Sequence, residues 1–522
     1  MLRRTVILLA TVLVASVGAA VPASAHPHHH RPGGSAPEVE NPGFEADGAT
    51  QTPDGWREKG DRAASFVEAG GQAGDFRLVH WADSDYRVTT SQTLTGLRKG
   101  WYTLRVWVRT DGGQQQAYAG LRGCGGKERR THLPRTGGSD WVQIVVSTRV
   151  TAKRCTIVLH STADAGQWAN FDGITFTRGA TPPPPVRGAD VSTLKKNEDF
   201  GAVYYDRRGR ARDALSILRA EGMNYARLKV WVDPADGYNN PDRVLEMAKR
   251  IRAQGMRLVV DFHYSDRWAD PGQQNKPAAW ASLDFDGLRQ AVYDHTYEVL
   301  AALRAQGTPA HIAQLGNEIN GGMLWPDGRW DNWDGLAALL ISATDAVEDA
   351  SPHTRTMLHL AEGGNNGGHV WWFDNAISRG VEFDLIGVSH YLYWHGSLGS
   401  LQANLFDLTQ RYGKDILVME AAYAFTLEQD DFLENIFNPS LAEAGGYPAT
   451  PQGQADLFRD MFTVVNAVPG ALGVFYWEPT WTAVPGAGWD PTDPGSGNAW
   501  ENQALFDYDG RALPAIEVFG RG

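Results

Sequence analysis

The chain has 522 residues and a formal net charge of -13, from 48 basic and 61 acidic side chains. Setting aside residues 1–25, which hold two arginines and no acid, moves the balance to -15. Such an acidic chain disfavours nucleic acid, anionic lipid or a polyuronate as partner and leaves a neutral one. Aromatic residues are 11% of the chain and tryptophan alone numbers 19. Indole rings in that number either fill cores or stack on sugar rings.

The first element is an export signal: Arg3 and Arg4, the apolar run TVILLATVLVASVGAA, then ASAH, whose Ala23 and Ala25 suit signal peptidase. Residues 1–25 are expected to be removed and the mature protein to be secreted. A membrane anchor is the competing reading, but no stop-transfer pattern follows and no later apolar run is long enough to span a bilayer. Residues 26–36, HPHHHRPGGSA, are low in complexity and have no apolar period. They read as a flexible N-terminus whose histidines either bind metal or are simply solvated.

Residues 37–179 alternate short apolar runs with turn residues, among them FRLVHWA, YRVTTSQTL, WYTLRVWVRT, WVQIVVSTRV and CTIVLHS. That rhythm predicts an antiparallel β-sandwich. Cys124 and Cys155 are the two cysteines of the chain. In an oxidising compartment they are expected to form one disulfide between two strands, free buried thiols being the alternative. The edges of the segment, NPGFEADG, PDGW and WANFDGITF, resemble the jelly-roll carbohydrate-binding modules of secreted glycosidases. The resemblance implies a structural calcium held by Glu45 and Asp172, unless FDGI is only a closing strand. Trp81 and Trp168 are the candidates for sugar contact, while Trp56, Trp101 and Trp141 read as core.

A proline run, TPPPPV, lies within residues 180–186 and predicts an extended linker of about 3.1 Å per residue that holds two domains apart. From residue 187 to 522 the pattern changes. Eight β-rich runs, from RGADVS to LGVFYWE, alternate with amphipathic helical segments. Several helical segments stop at a glycine, namely Gly222, Gly255, Gly307, Gly380 and Gly413, as a left-handed C-cap requires. Strict alternation with almost continuously apolar strands predicts a parallel sheet covered on both sides, and eight units predict a closed (β/α)8 TIM barrel. No glycine-rich nucleotide fingerprint follows any strand, which disfavours an open doubly wound sheet.

Barrel enzymes carry their catalytic residues at the C-terminal ends of the strands. Asn317 and Glu318 end the fourth strand in AQLGNEING, and Glu420 ends the seventh in ILVMEAAY. Both acids are expected at one mouth, where a carboxylate pair suits glycoside hydrolysis: one protonates the leaving oxygen, the other attacks the sugar carbon. A structural salt-bridged pair is the alternative. Other polar residues gather at the same rim: Asp190, Arg227, Lys229, Asp261, His263, His390, Tyr391, Trp477 and Glu478.

Beyond GNE and the lone glutamate, the segments RGADVSTL, YARLKVWVDP, DFHYSDRWADPGQQNKPAAW, LGNEINGGMLWP, WHGSL and YWEPTW resemble glycoside hydrolase family 53, the endo-β-1,4-galactanases. The resemblance implies that Glu318 is the general acid and base and Glu420 the nucleophile, kept ionised by Arg227. It also implies that Asn317 binds the sugar 2-hydroxyl, with net retention at the anomeric carbon. Asp261 and His263 are expected to contact substrate. Trp231, Trp268, Trp325, Trp394, Trp477 and Trp481 are candidate sugar platforms, with burial as the competitor for each. Strand six reads GVSHYLYW where the family pattern has paired tyrosines, so either His390 or Tyr391 steadies the nucleophile. Bacterial members carry a calcium loop after strand seven; here Asp430, Asp431, Glu434 and Asn435 offer oxygens without the glycine spacing, and a solvated loop is the alternative. The chemistry itself needs no cofactor. The expected partner is a plant cell-wall galactan or arabinogalactan, with no nucleic acid, no membrane, and a monomer as the default. Mannanase, xylanase or cellulase activity on the same scaffold, or a non-catalytic polysaccharide-binding protein, are the competing functions.

Overall fold

The computed structural model describes residues 38–138 and 140–520; the expected export signal and the 26–36 tail lie outside them. The N-terminal part is two five-stranded antiparallel sheets. One runs in the order Arg57–Gly60, Tyr86–Thr95, Arg154–Ala163, Gln116–Arg122, Arg129–His132. The other runs Ser65–Ala69, Phe76–Trp81, Trp168–Arg178, Gly100–Thr110, Val142–Val150. Period-two alternation decides which side chains meet between them. In Gly100–Thr110, Tyr102, Leu104, Val106 and Val108 are buried against the other sheet. Trp101 falls on the opposite phase and is 49% exposed, which corrects its reading as core. Trp56 is buried as expected, and Trp141 is half-buried beneath the Arg109 guanidinium at 4.8 Å.

Cys124 and Cys155 are disulfide-bonded. The bond ties the end of Gln116–Arg122 to its neighbour Arg154–Ala163. Glu45 and Asp172 do converge, on the loop that precedes Phe76. Glu45 accepts the amides of Asp75 and Phe76 at 3.0–3.2 Å, and Asp172 accepts those of Gln72, Ala73 and Gly173 at 2.6–3.1 Å. Their oxygens accept these amides and close the loop by hydrogen bonding. Among the described residues no group of three or more His, Cys, Asp or Glu is placed to hold a metal ion.

The C-terminal part is a closed parallel barrel. Its strands are Val186–Asp190, Tyr225–Val230, Arg257–Phe262, Ile312–Leu315, Arg355–Leu360, Leu385–Ser389, Asp415–Glu420 and Ala471–Tyr476. The second strand is buried at every position, as a strand covered on both faces must be. Asp213, Asn240, Asp284, Asn332, Asn365 and Ser397 each cap the helix that follows, accepting an amide three residues on. The glycines that stop helices adopt positive φ, for example +68° at Gly255 and +62° at Gly413. No helix among the described residues is long and apolar enough to cross a membrane.

The proline run does not hold the two parts apart. The outward face of Gly100–Thr110 and Val142–Val150 docks on the helices Leu398–Tyr412 and Pro451–Asn466. Gln143 and Gln402 exchange two hydrogen bonds of 2.7 and 2.8 Å, and Arg105 donates to the carbonyl of Ala467 at 3.0 Å. Thr181, at the start of the linker, is tied back to Thr103 and Ser147. Extended proline backbone is thereby used to turn a corner.

The disulfide closes a span of 31 residues. The double variant Cys124→Ala/Cys155→Ala is expected to lose about 3–4 kcal/mol of sandwich stability, measured by urea unfolding, as loop-closure entropy returns to the unfolded chain.

Candidate active site

Arg227 lies at the centre of the barrel mouth, on the second strand, and is 1% exposed. All five of its N–H donors are engaged. Nε donates to Gln314 Oε1 at 3.1 Å, Nη1 to Asp190 Oδ2 at 2.8 Å and Glu420 Oε1 at 2.9 Å. Nη2 donates to Asn317 Oδ1 at 2.7 Å and Asp261 Oδ2 at 2.8 Å. A planar guanidinium thus binds four strand residues and Asn317, just past the fourth strand, and fixes where each carboxylate points.

Glu420 ends its strand with Oε1 on Arg227 and Oε2 accepting the Tyr391 hydroxyl at 2.9 Å. His390 does not share that task. On an extended strand neighbours point oppositely, so Ser389 and Tyr391 face the barrel mouth while the His390 ring packs outward against Gly363 and His395. Only its backbone N–H reaches Glu420, at the carbonyl oxygen 2.7 Å away.

Glu318 comes from a different local geometry. The chain leaves the fourth strand at Gly316 with φ +87°, and Glu318 itself sits at φ +49°, ψ +50°. A non-glycine residue in that region stores roughly 1–3 kcal/mol of strain, sustained where neighbours over-determine the conformation. Here Ile319 packs beneath Gly316 and its carbonyl accepts Trp372 Nε1 at 2.9 Å. Glu318 lines the same cavity as Glu420 and takes a hydrogen bond from Ser389.

The two carboxyls have different electrostatics. Burial pushes Glu420 up to about 7, with Arg227 as the main opposing influence, assisted by Tyr391. Burial also pushes Glu318 up, and the neighbouring Glu420 charge pushes it further, with Arg227 the weakest of its influences. Glu318 is therefore the one that holds a proton while Glu420 is ionised. Burial alone would pull Arg227 down, but Asp261, Glu420 and Asp190 outweigh it and hold the guanidinium above its ordinary value.

Sequence reasoning placed Asn317 correctly at the mouth. Its Oδ1 accepts Arg227, and Nδ2 donates one hydrogen to the carbonyl of Ala269 at 2.9 Å, leaving a second hydrogen. Asp261 and His263 also line the cavity, yet their polar atoms are engaged inward. His263 Nε2 meets Asp261 Oδ2 at 2.9 Å, and Nδ1 accepts Trp231 Nε1 and the amide of Ala269, both at 3.2 Å. These two are supports of the wall and not free sugar-binding groups.

The cavity measures about 650 Å³. Four of the six tryptophans expected as platforms line it: Trp268, Trp394, Trp477 and Trp481. Trp394 is 48% exposed, whereas Trp481 is buried and stacks on Trp268 at 5.5 Å. Trp231 is buried behind His263, and Trp325 covers Gly321 outside the cavity, which corrects both expectations. Trp489 and Trp500, from the long loop after the last strand, complete the aromatic lining and escaped the sequence reading. Trp489 is 43% exposed in a Gly/Pro/Asp-rich loop, which was its signal; Trp500 is buried and packs on Trp477 with centroids 4.7 Å apart.

A polar layer beneath the glutamates was also missed. His359, on the fifth strand, meets Ser389 Oγ through Nε2 at 3.0 Å and Gln314 Nε2 through Nδ1 at 2.9 Å. Burial and nearby Arg227 keep that imidazole neutral. Lys229 Nζ pairs with Glu478 at 3.1 Å and lies 3.8 Å from the Trp268 ring centroid, so it anchors a platform. The loop after strand seven is closed by hydrogen bonds: Asp431 accepts the amides of Leu433 and Asn498, and the amide of Asp430 and Nδ2 of Asn435 donate to Glu501. Glu434 is exposed. Asn435 Oδ1 and Glu501 Oε2 are buried in the same loop without a hydrogen-bond partner among the described residues.

Replacing Arg227 with Met is expected to destabilise the barrel by about 3–5 kcal/mol, because three buried carboxylates lose their counter-charge. A carboxyl whose pKa is higher folded than unfolded binds its proton more tightly in the fold, so its stabilisation fades as pH rises. For Glu420 the window runs from 4.5 to about 7. Without Arg227 the folded pKa values climb further, so urea unfolding should show a deficit that grows from pH 5 to pH 8.

Comparison with known proteins agrees with this geometry. The profile described as Glycosyl hydrolase family 53 matches residues 186–519. The "Endo-beta-1,4-galactanase" of Bacillus subtilis (strain 168) is 34% identical over 369 residues, covering 64% of this chain and 85% of its own. The "Arabinogalactan endo-beta-1,4-galactanase" of Thermothelomyces thermophilus is 34% identical over 343 residues, covering 64% of this chain and 98% of its own. Among solved structures, the Ignisphaera aggregans GH53 catalytic domain superposes with TM-score 0.62 at 43% identity, over 65% of this chain and 96% of its own. With its family profile spanning most of the chain and its two glutamates at the mouth of a closed barrel, this protein is a glycoside hydrolase that belongs to glycosyl hydrolase family 53.

Proposed function

We propose that the protein is a secreted endo-β-1,4-galactanase that cleaves galactan or arabinogalactan with retention of anomeric configuration. The observation that carries the mechanism is the unequal pair: Glu318, raised by burial and by Glu420, against Glu420, held by Arg227 and Tyr391. The names of the relatives carry the substrate. In the first step Glu318 gives its proton to the glycosidic oxygen while Glu420 attacks the anomeric carbon, forming a glycosyl-enzyme. In the second step the ionised Glu318 takes a proton from water, which attacks the same carbon and releases Glu420. The retaining route calls for carboxyls about 5–5.5 Å apart. In this reading the second hydrogen of Asn317 Nδ2, not taken by the Ala269 carbonyl, binds the sugar 2-hydroxyl, a bond that strengthens as charge develops on the ring. Indoles along the cleft, such as Trp394 and Trp477, accept the C–H faces of successive sugars, which suits cleavage within a chain.

Release of reducing ends from linear β-1,4-galactan tests this directly. Wild type should hydrolyse it, Glu420→Gln should lose at least about 10³-fold in kcat, and Glu318→Gln about 10²–10⁴-fold. A folded wild type active on mannan, xylan or cellulose but not on galactan would remove the substrate assignment and leave the glycosidase.

The site also separates Tyr391 from His390. The Tyr391 hydrogen bond lowers the Glu420 pKa, so Tyr391→Phe should raise it, move the acid limb of kcat/KM to higher pH and lower kcat roughly 10–100-fold. His390→Phe should leave that limb where it is, because the ring has no contact with Glu420; a shared shift would contradict the assignment.

A further inference from the structure

A second aromatic groove lies on the sandwich, on the sheet that also docks the barrel. Trp81 and Trp168 are cross-strand partners on its outward face, and Trp81 is 40% exposed. Beside them Arg77 and Arg109 both donate through Nε to Asn170 Oδ1, at 2.7 and 3.0 Å. The groove encloses about 430 Å³ and ends at Gly138. Trp81 offers an exposed indole face, with the Arg109 guanidinium 5.9 Å from the Trp168 ring centroid and Arg77 bound to Asn170, Glu68 and the carbonyls of Ala69 and Gly70 at the groove's edge. An exposed indole beside a polar rim matches a neutral sugar ring, which offers C–H surface on one side and hydroxyls at its edge.

The groove's position is fixed by the docking contacts. Two residues past Gly138, the Asp140 carboxylate accepts the Ser397 hydroxyl, and its Cβ lies where any side chain on Gly399 would collide at 2.5 Å. Two residues before Ser397 comes His395, which with Trp394 lines the catalytic cavity. Groove end and cleft end are thus linked through the contact of Asp140 with the 397–399 corner. The Gln143–Gln402 pair and the packing of Trp107 on Phe406, centroids 6.4 Å apart, hold the two parts in register.

We propose that the sandwich groove and the catalytic cleft bind one and the same polysaccharide chain, a neutral β-linked hexosan that runs past Trp168 and Gly138 over the 395–399 corner and enters the cleft at Trp394. This rests on the substrate reading above and adds to it that the sandwich supplies remote subsites of the cleft, in place of an independent tether. Two sites held at a fixed separation act on one chain at high effective concentration, so affinity should rise once the chain is long enough to reach both.

Calorimetric titration of the full-length Glu318→Gln protein with galactotetraose and with linear β-1,4-galacto-oligosaccharides of ~20 residues tests the proposal. The tetraose should bind two per protein. The long chain should bind one per protein and at least about tenfold more tightly, and Trp81→Ala should return it to the tetraose affinity of the cleft alone. Two long chains per protein, or no gain in affinity with length, would overturn the shared track while leaving the substrate reading intact. No binding of either ligand at any concentration would overturn the substrate reading and the track with it.

Discussion

Everything at the barrel mouth is arranged around one buried cation. Arg227 has five donors and five acceptors, drawn from the first, third, fourth and seventh strands, so its fork sets the relative positions of the residues they carry. A lysine would supply the charge without the plane, and the carboxylates would lose their common reference. The asymmetry between the two glutamates follows from this geometry. Glu420 touches the guanidinium and Glu318 does not, so burial, which raises both, leaves Glu420 the more easily ionised of the two. The two carboxyls thus differ in protonation according to their distance from a single side chain.

That arrangement has a structural cost which the fold has to absorb. Asp190, Asp261, Glu420 and Glu478 are all essentially inaccessible to water. Two cations, Arg227 and Lys229, face them directly. The remainder is carried by hydrogen-bond donors: Gln314 and His263 on Asp261, Ser192 on Asp190, Thr193 on Glu478, Tyr391 on Glu420. A mouth built this way gives stability up in favour of charge placement, and the left-handed backbone of Glu318 is a second instance of the same exchange.

The barrel and the sandwich were legible in the sequence because both rest on periodicity and punctuation, and the catalytic pair was legible because strand ends fall at predictable intervals. What escaped depends on direction and on distant pairing. His390 and Tyr391 are adjacent in sequence and opposite in space, so composition could not choose between them, although the period of two could have. His263 carries a polar ring at a strand end and looks like a ligand, yet both its nitrogens are taken, by Asp261 on the same strand, by the amide of Ala269 in the loop that follows, and by Trp231 from beyond the neighbouring strand. Trp489 and Trp500 reach the cleft through a loop whose path no pattern specifies. The proline run reads as a spacer until the outward face of the sandwich, with Trp107 and Gln143, is seen to have a partner surface.

The claim on which the account depends is that Glu318 keeps its proton at a pH where Glu420 has lost its own. Carboxyl ¹³C NMR of the protein labelled at glutamate, with Glu318→Gln and Glu420→Gln used to assign the two resonances, measures this in the free enzyme. The account predicts that the Glu420 resonance moves first as pH rises and that Glu318 follows at distinctly higher pH, with the gap narrowing in Arg227→Lys. A Glu318 signal that titrates first, or two carboxyls that titrate together in wild type, would contradict it.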